Sequence, residues 1–402
     1  MRILMASHGY PPTLSGVTLV VQKLARAMVA RGHEVTVVTA SDRGEPYSDE
    51  DEGVHIERVH SIPNPFWREG RIPLIGLRPM QEIVARTQPD VLHTHETACL
   101  GLQLMRISRR EGIPLVATCH YLPRFVAFYL VNARPLCWIL SFYSTWFLNR
   151  CTHVVFVTKA HHRAFQEFGL KAPTTIISNG VNTARYHPPE GSDEGVEEAY
   201  RLPPRPRILF VGRLARDKEI PILIQALAHL RAQMEAHLLL VGRGDFRPHL
   251  EALSAELGLK EAVHFLGYVP ERDMPALYRA VDLFAIASTV EVQSLPTLQA
   301  LASGVPVVAV EAGALPEISP HGQSGLIVPP KDPVAMASAM RTLLSDPALA
   351  AQMGRRGREL AQPHDEERTF DAYEALYRRL ATQPMVRKAS PLRRIWPSPF
   401  AR

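Results

Sequence analysis

Residues 1–40 read MRILMASHGYPPTLSGVTLVVQKLARAMVARGHEVTVVTA. Ile3 to Ala6 is a short apolar run, as expected of a strand buried on both faces. Val17, Val20, Val21, Leu24 and Met28 then recur at helical spacing up to Arg31, and Gly32 supplies the stop. Glu34 to Thr39 is β-branched again and reads as a second strand. Strand, helix and strand in so short a span make one β-α-β unit. Repetition of that unit builds a parallel sheet covered by helices.

The alternation continues on both sides of a break in composition. Further strands are expected at Val91 to His95, Leu115 to Thr118, Val154 to Thr158 and Thr175 to Ser178. A second set follows at Ile208 to Val211, His237 to Val241, Val263 to Phe265, Leu283 to Ala287, Val307 to Val310 and Leu326 to Val328. Between the sets, Tyr186 to Pro206 (YHPPEGSDEGVEEAYRLPPRP) carries the proline, glycine and acidic content of a boundary. A chain of 402 residues exceeds one comfortable core, so the expected fold is α/β, with two doubly wound Rossmann-like domains facing a central cleft. The divisions are 1–185, a linker at 186–206, 207–362, a closing helix at 363–382 and a basic disordered tail at 383–402. Phe370, Tyr373, Leu376 and Tyr377 give the closing helix a face to pack back toward the first domain. In the tail, Trp396 and Phe400 suit a membrane surface as well as solvent.

Composition narrows the function classes. A net charge of +5 and a pI near 9.1 favour an anionic partner without choosing among phosphates, lipid headgroups and nucleic acid. Cys99, Cys119, Cys137 and Cys151 form no C-x-x-C pair and no zinc spacing, which argues for a reducing cytoplasm and no structural metal. Met1 to Ser7 opens as a strand and not as a signal peptide. Pro135 to Asn149, the most apolar stretch, falls short of the ~20 residues a spanning helix needs.

No G-x-G-x-x-G follows a strand, since Gly242-Arg243-Gly244 lacks the third glycine, and no G-x-x-x-x-G-K-[ST] occurs. Dinucleotide and P-loop readings therefore lose support, and no cofactor is expected. Three loops remain. Val211 to Lys218 (VGRLARDK) runs out of a strand at Gly212 and presents Arg213 and Lys218, a planar fork and a point charge suited to a diphosphate. A solvated loop with a surface arginine would read the same way in isolation. Ser288 to Pro296 (STVEVQSLP) leads into a helix whose cap lies at Ser294 or Leu295 and whose free N–H groups can face the same anion. Glu291, Gln293 and Ser294 there can bond sugar hydroxyls, or the carboxylate can serve the helix alone. Gly9 to Gly16 (GYPPTLSG) places Ser15 and Gly16 at another helix start, where backbone can approach a ligand.

In this order, these segments resemble the retaining glycosyltransferases of family 4, with the GT-B fold, over roughly Met1 to Leu380. The likeness includes YPPTLSG, RGHEV, DVLHTH, the TCH ending at His120, SNGVNTARYHP, VGRLARDK, HFLGYV, an E-x7-E-like segment from Glu291 to Gln299, and ALASGVPVVA. The resemblance implies that Arg213 and Lys218, beside Gly212, hold the diphosphate of a UDP- or GDP-sugar. It places Ser15 and Gly16 beside the phosphates, His120 and Glu291 at the donor sugar, and Phe265 to Val269, with Tyr268, at the nucleobase. Transfer is then front-face with retention, the leaving phosphate helps accept the acceptor proton, and neither metal nor protein nucleophile is required. Asp49-Glu50-Asp51 contains D-x-D but is expected as a solvated loop. The chain departs from the family at two positions: Gln299 stands where a glutamate usually bonds the ribose, and Glu219 stands where glycine commonly follows the lysine. The glutamate would bring a negative charge near the phosphates or point to solvent.

For the acceptor, residues 121–150 (YLPRFVAFYLVNARPLCWILSFYSTWFLNR) are crowded with aromatics. Trp138, Phe142 and Trp146 recur every four residues beside Arg124, Arg134 and Arg150, as in a segment lying among lipid headgroups. A core helix would show the same spacing. Arg106, Arg109 and Arg110 add headgroup attraction or a solvated face. TCHYLP with this stretch, and EVQSLPTL, look like bacterial members that glycosylate diacylglycerol. The expectation is a peripheral enzyme on the inner face of the cell membrane, with no nucleic acid partner. Phosphatidylinositol, a polysaccharide precursor or a soluble acceptor are the alternatives, followed by a noncatalytic sugar-nucleotide-binding protein or an epimerase.

Overall fold

The computed structural model describes residues 1–13, 15–64, 70–123, 125, 134–189 and 194–382. Leu14, Arg124 and the tail with Trp396 and Phe400 lie outside them. The first half carries β1 (Arg2–Ser7), β2 (Glu34–Ala40), β3 (Tyr47–Asp51), β4 (Val54–Val59), β5 (Ser61–Pro63), β6 (Arg71–Pro73), β7 (Val91–Thr94), β8 (Leu115–Cys119), β9 (His153–Phe156) and β10 (Thr174–Ile176). The second carries β11 (Arg207–Val211), β12 (His237–Val241), β13 (Val263–Gly267), β14 (Leu283–Ile286), β15 (Val307–Val310) and β16 (Gly325–Val328).

The larger sheet has eight strands in the order β10-β9-β8-β7-β1-β2-β4-β3, and the smaller has six in the order β13-β12-β11-β14-β15-β16. All neighbours in both are parallel except β3 against β4. The winding direction reverses between β1 and β7 and again between β11 and β14. At such a switch point the outgoing loops diverge and leave a crevice beyond the carboxyl ends of the strands.

Every strand expected from the sequence is present to within about two residues, the usual uncertainty of element ends. Their burial explains why they were readable. Leu4 and Ala6 point into one apolar cluster while Ile3 and Met5 point into the other, so β1 is buried on both faces. Each large aliphatic side chain so buried contributes about 1.5–3 kcal/mol.

The acidic run at residues 49–51 is a correction. It is not a solvated loop but the edge strand β3, antiparallel to β4. Charged side chains on an edge strand discourage pairing with another chain, and Asp51 has an internal use. Its carboxylate accepts from the Tyr10 hydroxyl at 2.7 Å, from Gln22 at 2.9 Å and from the Arg26 guanidinium Nε at 2.9 Å. Burial works against the charge, but these bonds hold the Asp51 carboxyl down at about 2. Asp51 thereby braces the loop that follows β1.

The boundary segment is less linker-like than its composition. Tyr186 is fully buried and Glu194–Ala199 forms a short helix. The final helix, Glu366–Ala381, crosses to the first sheet, where Phe370, Tyr373, Leu376 and Tyr377 join the cluster containing Ile3 and Met5. The Tyr373 hydroxyl lies 2.9 Å from Thr118 Oγ1, and the Tyr377 hydroxyl lies 2.7 Å from His93 Nδ1.

Candidate active site at the carboxyl ends of the sheets

The loops after β11 and β14 leave the second sheet at its switch point, and both are anchored by backbone. Gly242 and Gly244, just beyond β12, pack directly on the carbonyls of Gly212 and Leu214, because any Cβ there would stand 1.9 and 2.1 Å from those oxygens. Leu214 N–H donates to the Arg243 carbonyl at 2.8 Å. The glycine pair that failed as a dinucleotide motif is thus a seat for the Arg213 loop. Gly313, at φ +56°, supports the other loop: a Cβ would lie 2.5 Å from the Glu291 carbonyl, which instead accepts from Ala314 N–H at 3.0 Å.

On these anchors the charged groups meet. Lys218 Nζ donates to Glu291 Oε1 at 2.6 Å, and the Arg213 guanidinium donates to the buried Asp217 carboxylate at 3.0 Å. Burial alone would depress the Lys218 ammonium, but Glu291 and Asp217 outweigh it and hold its pKa above the ordinary lysine value. Glu291 itself is nearly buried. Arg213 also lies 6.0 Å from the ring of Phe125, a residue of the first half.

The neighbouring positions divide by what already occupies them. Ser294 caps the Leu295–Ala302 helix by accepting from Thr297 N–H at 3.3 Å, which leaves the helix start at Leu295 and Pro296 as expected from the cap. Gln293 joins the two halves, accepting from Asn179 N–H at 2.7 Å and donating to Ser178 Oγ at 2.9 Å. Thr158 Oγ1 donates to the Val292 carbonyl at 2.9 Å alongside. Gln299 is engaged on both ends of its amide, receiving the Tyr278 hydroxyl at 3.1 Å and donating to the Tyr186 hydroxyl at 3.1 Å. Tyr186 in turn donates to Glu271 at 3.0 Å. Glu219 points neither to solvent nor into open space: its Oε2 accepts from Thr289 N–H at 3.1 Å and from Thr289 Oγ1 at 2.6 Å. Tyr268 is 50% exposed, with the Arg243 guanidinium 5.6 Å from its ring centre.

The first sheet presents its own switch point. Ser15 caps the Gly16–Ala30 helix through a reciprocal pair with Thr18, and the space around the Gly16 Cα is open, with nothing within 4 Å of a notional Cβ. His120 follows β8. Its Nε2 lies 2.9 Å from His95 Nδ1, and burial, with a further contribution from His161 and His8, pushes its pKa down to about 3. Sequence reasoning gave no site role to His95, Asp217, Thr289 or Phe125. All four sat inside quoted stretches, DVLHTH, VGRLARDK, STVEVQSLP and residues 121–150, but nothing in their spacing told a functional neighbour from a core residue.

Beyond His120, the Arg134–Leu148 helix buries Ser141, Ser144, Thr145, Phe147 and Leu148. Its other face is open, with Trp138 61% and Phe142 58% exposed and their rings stacked at 5.9 Å. Arg150 lies 4.2 Å over the Trp146 ring. The aromatic row is therefore not a core stripe. Among the described residues no helix is long and apolar enough to cross a membrane.

Comparison with known proteins agrees with this arrangement. The chain is 28% identical over 384 residues to a GDP-mannose-dependent alpha-(1-6)-phosphatidylinositol monomannoside mannosyltransferase of Mycolicibacterium smegmatis, covering 92% of this chain and 96% of that one. It is 26% identical over 318 residues to the alpha-monoglucosyldiacylglycerol synthase of Streptococcus pneumoniae, covering 77% and 71%. The solved sucrose-phosphate synthase of Thermosynechococcus elongatus superposes with a TM-score of 0.81 at 24% identity, over 94% of this chain and 98% of that one. A model described as Glycosyltransferase Family 4 matches residues 14–185, and one described as Glycosyl transferases group 1 matches residues 205–346. With both halves matched in order and the two-sheet architecture shared, this chain is a nucleotide-sugar glycosyltransferase of family 4 with the GT-B fold.

Proposed function

We propose that the protein transfers a hexose from a UDP- or GDP-sugar, with retention, to a membrane lipid such as diacylglycerol. The observation that carries the lipid reading is the exposed row Trp138, Phe142 and Trp146 on a helix that follows the His120 loop and has no acidic residue. Aromatic rings flanked by Arg134 and Arg150 match the boundary between acyl chains and anionic headgroups. Two relatives whose names specify lipid acceptors support the same choice.

In this reading the donor diphosphate competes for the two cations. Lys218 leaves Glu291 for the phosphates, Arg213 adds its fork, and the start of the Leu295–Ala302 helix contributes backbone N–H groups. Negative charge grows on the leaving diphosphate during transfer, so preorganised donors there lower the barrier, each by about 3–4 kcal/mol. Glu291, freed from Lys218, accepts from sugar hydroxyls. His120 stays neutral and stands beside the reacting carbon. The acceptor hydroxyl enters from the first-sheet side and yields its proton to the departing phosphate oxygen, as expected of front-face transfer without a protein nucleophile.

The test is incubation with UDP-glucose, UDP-galactose and GDP-mannose in the presence of diacylglycerol or phosphatidylinositol vesicles, followed by mass analysis of the lipid fraction. A hexose added to diacylglycerol is the expected result, and Trp138→Ser with Phe142→Ser should lower the rate on vesicles. Hexose on phosphatidylinositol instead would move the acceptor assignment. Transfer only to water-soluble sugars would overturn the lipid reading.

A further inference from the structure

Three consecutive residues, Asp217, Lys218 and Glu219, hold three positions of the loop after β14. Ser288 Oγ donates to the Asp217 carbonyl at 3.1 Å, Thr289 gives its N–H and hydroxyl to Glu219, and Glu291 pairs with Lys218. The Lys218 bond is the one a donor diphosphate would compete for. The Glu219 bonds use none of the groups assigned to the donor in the reading above.

Glu219 also holds an unfavourable backbone conformation. Its φ and ψ are 49° and 33°, the left-handed region that a residue with a Cβ avoids and glycine enters freely. It turns the chain from the short helical turn Arg216–Lys218 into the Ile220–Arg231 helix. At the start of that helix a short polar side chain would ordinarily cap the first N–H groups. Glu219 makes no such side-chain bond and reaches 70 positions along the chain to Thr289 instead. A strained residue whose side chain bypasses the nearest donors for a distant loop is maintained by what it does there.

We propose that Glu219 is a positioning residue that tethers the Thr289–Glu291 segment, keeping Glu291 in register when Lys218 leaves it for the donor. The role rests on the donor-site reading above, in which Lys218 and Glu291 serve the diphosphate and the sugar. Both Thr289 bonds end on one oxygen, so a carboxamide oxygen at the same place can accept them and a glycine cannot.

The experiment compares Glu219→Gly and Glu219→Gln with the wild-type chain. Backbone hydrogen exchange over residues 287–293 should speed up roughly tenfold in Glu219→Gly and stay near wild type in Glu219→Gln. The melting temperature of Glu219→Gly should remain within about 2 °C, because glycine relieves the left-handed strain while the tether is lost. Affinity for UDP-glucose or GDP-mannose, whichever the wild type binds, should fall roughly tenfold in Glu219→Gly only. Unchanged exchange in Glu219→Gly would overturn the tether. Tighter donor binding in both variants would overturn it too, by showing that the carboxylate acts through repulsion of the phosphates. If the wild type binds neither nucleotide sugar, the donor-site reading fails, while the exchange result still decides whether the tether exists.

Discussion

His95 Nδ1 lies 2.9 Å from His120 Nε2, with the two rings nearly parallel. Burial holds both well below the ordinary histidine range, so two neutral rings share one proton across this contact. The Nε2 of His95 is buried without a partner. A buried N–H with no acceptor is the costlier orphan, which places the His95 proton on Nδ1 and makes His120 Nε2 the acceptor. His120 then keeps its own proton on Nδ1. His95→Ala should lower kcat on the order of tenfold with little change in donor KM, because His120 loses the bond that fixes its ring position and tautomer. His95→Asn, whose amide nitrogen falls near the lost Nδ1, should recover part of it. Nitrogen-15 shifts of the His120 ring are the direct check, and an unchanged tautomer in His95→Ala would rule out the assignment.

The same burial sets an acid limit on the fold. His93 and His120 are pushed down to about 3, and His153 and His161 to about 4, by desolvation first of all. Unfolded histidine takes up a proton near 6.5, so below that pH the unfolded chain binds protons that the folded one refuses. Stability contributed by these groups is complete above about pH 6.5 and drains away as pH falls toward 4, at about 1.4 kcal/mol per pH unit for each such proton. Urea midpoints measured from pH 8 to 4.5 should decline below 6.5. Turnover between pH 6 and 8 should show no titration of His120.

Removing either member of the Lys218–Glu291 pair should affect both chemistry and fold, in separable amounts. Lys218→Ala and Glu291→Ala should each reduce transfer on the order of 10²–10³-fold. Because the pair is not fully desolvated, the loss of stability should be only about 1–2 kcal/mol. Circular dichroism and thermal melts alongside the transfer assay separate the two. Wild-type turnover in both variants would remove these residues from the site.

Gln299 offers a test of hydrogen-bond direction. Its amide nitrogen donates to the Tyr186 hydroxyl, whose own proton goes to Glu271. In Gln299→Glu two carboxylates would face one hydroxyl proton, leaving an acceptor unpaired at about 1–3 kcal/mol. Adding Glu271→Gln lets the new amide donate to Tyr186 while Tyr186 turns its proton to residue 299. The double variant should therefore melt above Gln299→Glu alone, and a double variant no more stable than the single would contradict the network.

The parallel strands were legible because β1 and its neighbours are apolar on both sides, which leaves a short unbroken run that periodicity detects. β3 was missed for the opposite reason: Asp49, Glu50 and Asp51 read as solvent-facing, and although β4 follows after only two residues, the Arg26 that pairs with Asp51 lies 25 positions away on a helix. The donor loops were readable through their charges and glycines, and the structure brings Lys218 to Glu291. The Ser294 cap was readable because it is local, but not that Gln293 would join the halves or that Glu219 would bond Thr289, since those partners are chosen by tertiary packing. The aromatic row could not be told from a core stripe until its exposure was seen, because spacing alone defines a face and not what the face meets.

The crossing of the Glu366–Ala381 helix to the first sheet bears on how the chain is made. Tyr373 and Tyr377 reach Thr118 and His93, so a nascent chain carries an unfinished first sheet, with His93 uncovered, until residues 366–381 have left the ribosome. The first sheet is completed by residues made some 255 to 284 positions later, and the whole second sheet is synthesised in the interval. A stop codon before the final helix would therefore damage the N-terminal half more than the C-terminal half from which the residues were lost.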